Sequence, residues 1–185
     1  MVEVNALPEL LWPEIDAQVR AHANEFAFIQ ARVAAESFVR NQAAMAAHRA
    51  TRNLGFDARM EKKAAGKVVD LLVTRHGEEP NADNSVLVEL KMAYPGTWTG
   101  NADEVAKDLS LLAGQPNAYS LVLYFAFTRT PRWSPYAPKP KHPTFENGLA
   151  KVVEHLGRDA VWRGRPFNLA AEDTEGKAVL LVWKA

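Results

Sequence analysis

The spacing of hydrophobic positions is helical over the first 50 residues. Four apolar side chains share one face at intervals of about 3.6 residues: Phe26, Ile29, Val33 and Ala44. The pattern predicts one long helix over roughly 13–49, which begins at Pro13 because proline suits the first helical turn. Glu36 and Arg40 fall on or beside the apolar face, so two charged residues are expected on the core side of this helix.

Three strand patterns follow. Residues 54–61 alternate apolar and polar side chains, which is typical of a strand with one solvent-exposed face. Residues 67–74 and 85–93 are mostly apolar and β-branched, which predicts strands covered on both faces. The polar segment between these two strands is expected to be a turn or loop.

A helix and a strand come next. Asn101 and Glu104 form a capping-box signal for a helix that ends near Gly114. Residues 119–127 form an almost continuous apolar run, which predicts a buried central strand. Residues 131–143 contain five of the 11 prolines, so this segment is expected to be an exposed loop.

The remaining segments complete one predicted sheet. Thr144 is a suitable N-cap for a third helix, which would end at Gly157. Two closing strands are predicted near residues 160–163 and 178–183. This order of helices and strands predicts a single α/β domain over residues 1–185, with a mixed central sheet flanked by helices.

Composition narrows the function classes. The 185 residues fit one domain, and 48% hydrophobic content excludes wholesale disorder. The chain has no cysteine, which excludes disulfides, thiolate zinc sites and cysteine nucleophiles and is compatible with the expected cytoplasmic location. We expect no secretion signal at the N-terminus and no membrane partner. Net charge is zero, which removes the easiest argument for a nucleic-acid partner, namely a strongly cationic surface.

Charge is nevertheless distributed unevenly. Residues 49–67 carry six basic side chains against two acidic ones, whereas residues 70–89 carry five acidic side chains against Arg75 alone. Three charges fall inside apolar strands, where an unpaired ion costs several kcal/mol. They are Asp70, Glu89 and Lys91.

Alternation along a strand places Glu89 and Lys91 on the same face, and antiparallel pairing would bring Asp70 beside them. Two converging carboxylates repel each other unless a proton or cation lies between them, and Mg²⁺ prefers oxygen ligands of this kind. The sequence therefore predicts a divalent cation site. The alternative is a structural ion pair between Glu89 and Lys91. Glu61, which also precedes a lysine by two residues, falls on the solvent-exposed face and is given no special role.

This constellation resembles the PD-(D/E)XK nuclease superfamily, which has the restriction-endonuclease-like fold. Asp70 matches the first acid of the motif, residues 89–91 match its acid-x-lysine half, and Glu36 resembles the helix acid. The resemblance covers about residues 25–128 and implies an αβββαβ core followed by an extra helix and strands. Val69 stands where the family usually has proline.

The resemblance also implies roles for individual residues. Asp70, Glu89 and the backbone carbonyl of Leu90 would hold Mg²⁺ or Mn²⁺, and Lys91 would orient the attacking water and stabilise charge on the phosphate. Glu36 would join the catalytic residues by completing a second metal site or holding a metal-bound water, with Arg40 one helical turn on to orient it. A salt bridge at the helix–sheet contact is the alternative for Glu36. In the helix after the motif, Lys107 and Asp108 are candidates to approach the site.

Basic side chains on both sides of the motif are candidates for binding phosphates. They are Arg40, Lys62, Lys63, Lys67, Arg132, Lys139 and Lys141. The expected function is a Mg²⁺-dependent nuclease that hydrolyses phosphodiester bonds, with DNA preferred over RNA as the substrate. A homodimer or a protein partner is a further expectation. The alternative is a catalytically inactive nuclease-like module that binds or assembles with a partner.

Overall fold

The computed structural model describes residues 2–64, 66–95 and 98–185, without the side chains of residues 98–101. The helices are α1 (Leu7–Ala21), α2 (Ala23–Gln30), α3 (Glu36–Thr51), α4 (Trp98–Leu112) and α5 (Phe145–Leu156). The strands are β1 (Phe56–Ala64), β2 (Lys67–Arg75), β3 (Ser85–Ala93), β4 (Ala118–Arg129), β5 (Trp162–Arg163), β6 (Phe167–Ala171) and β7 (Thr174–Lys184).

The long helix predicted over residues 13–49 is wrong, because three helices occupy this region. The first begins at Leu7 and contains Pro13 in its interior. The helical path is broken between α2 and α3, where the buried Gln30 side chain accepts a hydrogen bond from the Ala35 N–H at 2.8 Å. Val33 lies in this break and is 60% exposed, so it does not belong to the buried face. The break places Glu36 in the first turn of α3.

The strands form one mixed sheet in the order β1-β2-β3-β4-β7-β5, with β6 paired to β7. The β3–β4 pair is parallel, and every other described pair is antiparallel. The expected α/β class is therefore confirmed. Strand β6 was not predicted, although Phe167 and Leu169 alternate with exposed side chains in the manner of a half-buried strand.

Helices cover the two faces of the sheet. Helices α1, α2 and α3 pack with apolar side chains on one face, and α4 and α5 pack on the other. The first ten residues of β4 are all buried, as expected for a central strand with helices on both sides. Among the described residues, no helix has the length and apolar character needed to cross a membrane.

The predicted helix boundaries are accurate in one case and shifted in another. Thr144 caps α5 by accepting the Asn147 N–H at 3.3 Å, and Gly157 ends the helix with a positive φ of 64°. Helix α4 begins three residues before the predicted cap at Asn101, whose side chain lies outside the described part of the chain.

The predicted alternation in the first strand holds only in part. Strand β1 begins at Phe56, not at residue 54, and Met60 is 39% exposed although the pattern assigned it to the buried face. Met60 lies on the edge strand of the sheet, in a stretch where residues 59–63 are all exposed.

Candidate metal and phosphate site

Asp70 and Glu89 come together where β2 and β3 stop pairing. The regular antiparallel register of these strands ends at the Leu71–Val88 pair, and Asp70 and Glu89 are the residues directly beyond it. Beyond this point the Asp70 Oδ2 accepts the Leu90 backbone N–H at 2.8 Å, in place of a strand-to-strand hydrogen bond. The Asp70 carboxylate is also close enough to accept a hydrogen bond from the protonated Glu89 carboxyl group.

Arg40 connects three acids from three elements. Its guanidinium contacts Glu36 Oε1 at 2.8 Å one helical turn away, Glu61 Oε1 at 2.6 Å on β1, and Asp70 Oδ1 at 3.1 Å on β2. The Arg40 side chain is only 18% exposed, so these contacts form in a weakly screened environment. Arg40 therefore fixes Asp70 from the α3 side.

Lys91 lies on the same strand face as Glu89, and its Nζ atom is 3.3 Å from Asp108 Oδ2 on α4. Burial disfavours the ammonium form of Lys91, but the surrounding carboxylates of Asp108, Glu36 and Asp70 outweigh this effect and raise its pKa. Lys91 is consequently a cation at neutral pH. It can donate hydrogen bonds but cannot act as a general base.

The pKa of Glu89 is raised to about 7. Burial is the largest cause, followed by the charges of Asp70 and Asp108 and the hydrogen bond with Asp70, while Lys91 acts in the opposite direction. The site combines five carboxyl groups with two cations, so the charge is three units negative when every carboxyl is ionised. A proton on Glu89 relieves part of this excess, and a bound cation would do the same.

This shift predicts a pH effect on stability in the absence of metal. The folded protein binds the Glu89 proton more tightly than the unfolded chain, so stability falls as pH rises from 4.5 to 7. In Glu89→Gln the side chain stays neutral. Its melting temperature relative to the wild type should therefore rise by about 3–6 °C between pH 4.5 and 8, after discounting for partial exposure.

Thermal melting in EDTA across this pH range checks the expectation. Glu104→Gln is the matched control, because Glu104 is exposed on α4. Its melting temperature should differ from that of the wild type by the same amount at every pH. A pH-independent difference for Glu89→Gln as well would contradict the shared proton.

The chemistry of the site fits a hard divalent cation in part. Asp70 and Glu89 offer carboxylate oxygens, and Ser120, which pairs with Glu89 in the β3–β4 register, is fully buried. Within the described chain, the Ser120 hydroxyl has no hydrogen-bond partner, so the site has unsatisfied polar capacity beside Glu89. The described residues contain no group of three or more His, Asp or Glu side chains arranged to hold a metal ion. A cation here would need backbone or water oxygens besides the two carboxylates.

The candidate phosphate-binding residues lie at one end of the sheet. The alternating directions of β1 to β4 place four strand ends on the side of the sheet where the carboxylates lie. They are the end of β1, the start of β2 and the ends of β3 and β4. Six of the predicted cations belong to this edge or to the loop after β4: Lys62, Lys63, Lys67, Arg132, Lys139 and Lys141. All are exposed except Lys67, which is half-buried. Arg40 is engaged by carboxylates, so its predicted role toward phosphate stays a prediction.

Two residues of the site were missed by sequence reasoning. Glu61 binds Arg40 and has a left-handed φ of 49°, which is unfavourable for a residue with a side chain. Its alternation pattern indicated only an exposed strand position. Ser120 gave no signal, because a serine in an apolar strand is common. Of the two α4 candidates, Asp108 contacts Lys91, whereas Lys107 is exposed.

The chain matches no protein-family model, no curated protein and no solved structure.

Proposed function

We propose that this protein is a Mg²⁺- or Mn²⁺-dependent nuclease that hydrolyses phosphodiester bonds, with DNA as the preferred substrate. One observation carries the proposal. The carboxyl groups of Asp70 and Glu89 meet at the point where their strands separate, and Lys91 lies on the same face two residues further along. Converging acids in a half-buried site, one of them with a raised pKa, are typical of places where a cation or a reaction is accommodated.

The arrangement of the elements supports this interpretation. The segment α3-β1-β2-β3-α4-β4 has the element order that the resemblance to the PD-(D/E)XK superfamily implies. The acids of the motif come from neighbouring strands, and Glu36 reaches the same cluster through Arg40.

The residues of the site have different chemical roles. Asp70, Glu89 and the Leu90 carbonyl would hold the cation, which supplies charge neutralisation at the phosphate and a lowered pKa for an attacking water. Lys91 donates a hydrogen bond to a phosphate oxygen and stabilises the negative charge that grows in the transition state. Asp108 is a positioning residue that holds the Lys91 ammonium in place.

The overall reaction consumes one water molecule for each bond that is cleaved. The water oxygen forms a new bond to phosphorus, and the ester bond between phosphorus and the leaving sugar oxygen breaks. One proton of the water is lost to solvent, and the leaving oxygen gains one and departs as a hydroxyl group. The products are a phosphomonoester and a free hydroxyl.

Cleavage of a supercoiled plasmid tests the proposal. The wild type is expected to nick or linearise the plasmid with Mg²⁺ or Mn²⁺ and to leave it intact in EDTA. Asp70→Ala should reduce the rate by at least about 100-fold, because a ligand and a partner of Glu89 are lost together. Asp83→Ala removes an exposed loop acid and should cleave at the wild-type rate. Cleavage that survives in Asp70→Ala would contradict the assignment.

A second candidate function is a binding or assembly module in which the same charges form a structural ion network. It is favoured by the contacts of Arg40 with Asp70 and of Lys91 with Asp108, which already satisfy charges within the protein. Under this alternative the wild type cleaves neither DNA nor RNA with any divalent cation, and the melting temperature does not respond to metal.

A further inference from the structure

A cavity of about 530 Å³ opens at the end of the sheet that carries the candidate site. The pairing of β3 with β4 ends at Ala93 and Tyr124, so β4 continues beyond its neighbour. The cavity lies along this continuation, between Tyr94 and the proline-rich loop of residues 131–143. Its volume is in the range of pockets that bind small organic molecules.

The wall of the cavity is aromatic. Tyr94 stacks on Phe125 with ring centroids 5.5 Å apart, and it meets the Tyr136 ring edge-on at 4.9 Å. Phe127 extends this cluster along β4, with its centroid 5.3 Å from Phe125. The two phenylalanines are buried, whereas Tyr94 and Tyr136 are partly exposed and contribute to the surface of the cavity.

The rim of the cavity carries basic side chains. Lys139 and His142 come from the loop, and their backbones are joined by a hydrogen bond from the His142 N–H to the Lys139 carbonyl at 2.9 Å. Lys177 comes from β7 and is paired with Glu146 at 3.3 Å, so its charge is offset. Lys139 is exposed and free to meet an anion from solvent.

The distance to the candidate site suits a nucleic-acid strand. Tyr94 follows Lys91 by three residues, so the two side chains lie on opposite faces of β3, about 10 Å apart along an extended chain at roughly 3.3 Å per residue. This equals the rise of about three stacked nucleotides at roughly 3.4 Å each. A nucleic-acid strand with a phosphate at Lys91 that passes around the end of β3 therefore reaches the cavity within a few nucleotides.

We infer that this cavity binds one unpaired base of the nucleic-acid strand that lies across the site, with the ring of Tyr136 against the base and Lys139 at an adjacent phosphate. The inference rests on the proposed function and adds a substrate class, namely strands with an unpaired nucleotide. Aromatic rings recognise any base through its face, and a lysine at the rim complements the phosphate of the same nucleotide. An aliphatic peptide would not use this pairing of ring and cation.

Binding of a short labelled single-stranded DNA, followed by fluorescence anisotropy in EDTA, tests the inference without cleavage. Tyr136→Leu should weaken binding about tenfold, whereas Tyr136→Phe keeps the ring and should bind like the wild type. Lys139→Ala should weaken binding and lower its salt dependence. The control for the ring is Trp133→Leu, in the same exposed loop but outside the cavity, and the control for the charge is Lys184→Ala, exposed at the opposite end of the sheet; both should bind like the wild type.

Binding to a DNA strand of the same length that lacks its bases distinguishes a loss of base stacking from a folding defect. Tyr136→Leu should bind this abasic strand as well as the wild type does, because only the base contact has been removed. Three outcomes would overturn the inference. They are an equal loss of affinity by Tyr136→Leu for both strands, an equal loss of affinity in the Trp133→Leu control, and no binding of single strands by the wild type. Normal plasmid cleavage with no effect of Tyr136→Leu would reject this cavity as a subsite and leave the nuclease proposal standing. Base-dependent binding without any cleavage would support the cavity as a base-binding subsite and reject the nuclease proposal.

Discussion

Lys91→Ala is expected to reduce plasmid cleavage by about 10²–10³-fold while leaving the fold intact. Lys91 is held as an ammonium group by Asp108 and by the negative charge of the site, and it lies on the same strand face as Glu89. Removal of one preorganised donor from a phosphate in a half-buried site has an effect of this size. Initial rates of nicking at saturating Mg²⁺, with circular dichroism as a check on folding, provide the measurement.

Lys107→Ala is the matched control for this change. Lys107 is a neighbouring lysine on α4 that is exposed to solvent, so its removal should change the rate by less than about twofold. Asp108→Asn should lower the rate less than Lys91→Ala, because it loosens the ammonium group without removing it. Cleavage by Lys91→Ala at the wild-type rate would contradict the role assigned to Lys91.

Arg40→Met is expected to lower the free energy of unfolding by about 2–3 kcal/mol. The guanidinium is mostly buried and contacts Glu36, Glu61 and Asp70, so its loss leaves these carboxylates without their cation. Breaking a fully buried ion pair costs about 3–5 kcal/mol, and the exposure of Glu36 and Glu61 reduces that figure here. Urea denaturation measures the change, and the melting temperature should fall by about 5–10 °C.

The control for Arg40 is Arg59→Met. Arg59 contacts Asp57 at 3.1 Å on the exposed side of β1, and an exposed pair contributes less than about 1 kcal/mol. Adding Asp70→Asn to Arg40→Met should recover part of the lost stability, because the orphaned carboxylate is neutralised. An Arg40→Met protein as stable as the wild type would show that Arg40 does not hold the cluster together.

The strands of the site could be predicted from sequence, because three charges in apolar β-branched runs conflict with the burial that those runs imply. Asp70, Glu89 and Lys91 are therefore visible without coordinates. The helix boundary at Ala35 was not visible, since the apolar spacing continues across it and the hydrogen bond from the Ala35 N–H to the Gln30 side chain is seen only in the structure. Similarly, Arg40 was recognised as close to Glu36, but its contacts with Glu61 and Asp70 depend on how α3 packs against β1 and β2.

The aromatic cavity illustrates a second limit of sequence reasoning. The loop of residues 131–143 was recognised by its prolines, and Lys139 and Lys141 were assigned the same candidate role. In the structure Lys139 lies at the rim of the cavity, whereas Lys141 does not. The difference depends on the course of the loop, which no local spacing encodes.

Thermal melting of the wild type, with and without Mg²⁺ or Mn²⁺, tests most directly whether Asp70 and Glu89 share a cation. A metal present at about 100 times its Kd should stabilise the folded protein by about 2.7 kcal/mol and raise the melting temperature by about 5–10 °C. Asp70→Asn and Glu89→Gln should lose this response, and the exposed-acid variant Asp83→Asn should keep it. An unchanged melting temperature of the wild type at millimolar metal, or an equal increase in all four proteins, would contradict a shared cation at these two carboxylates.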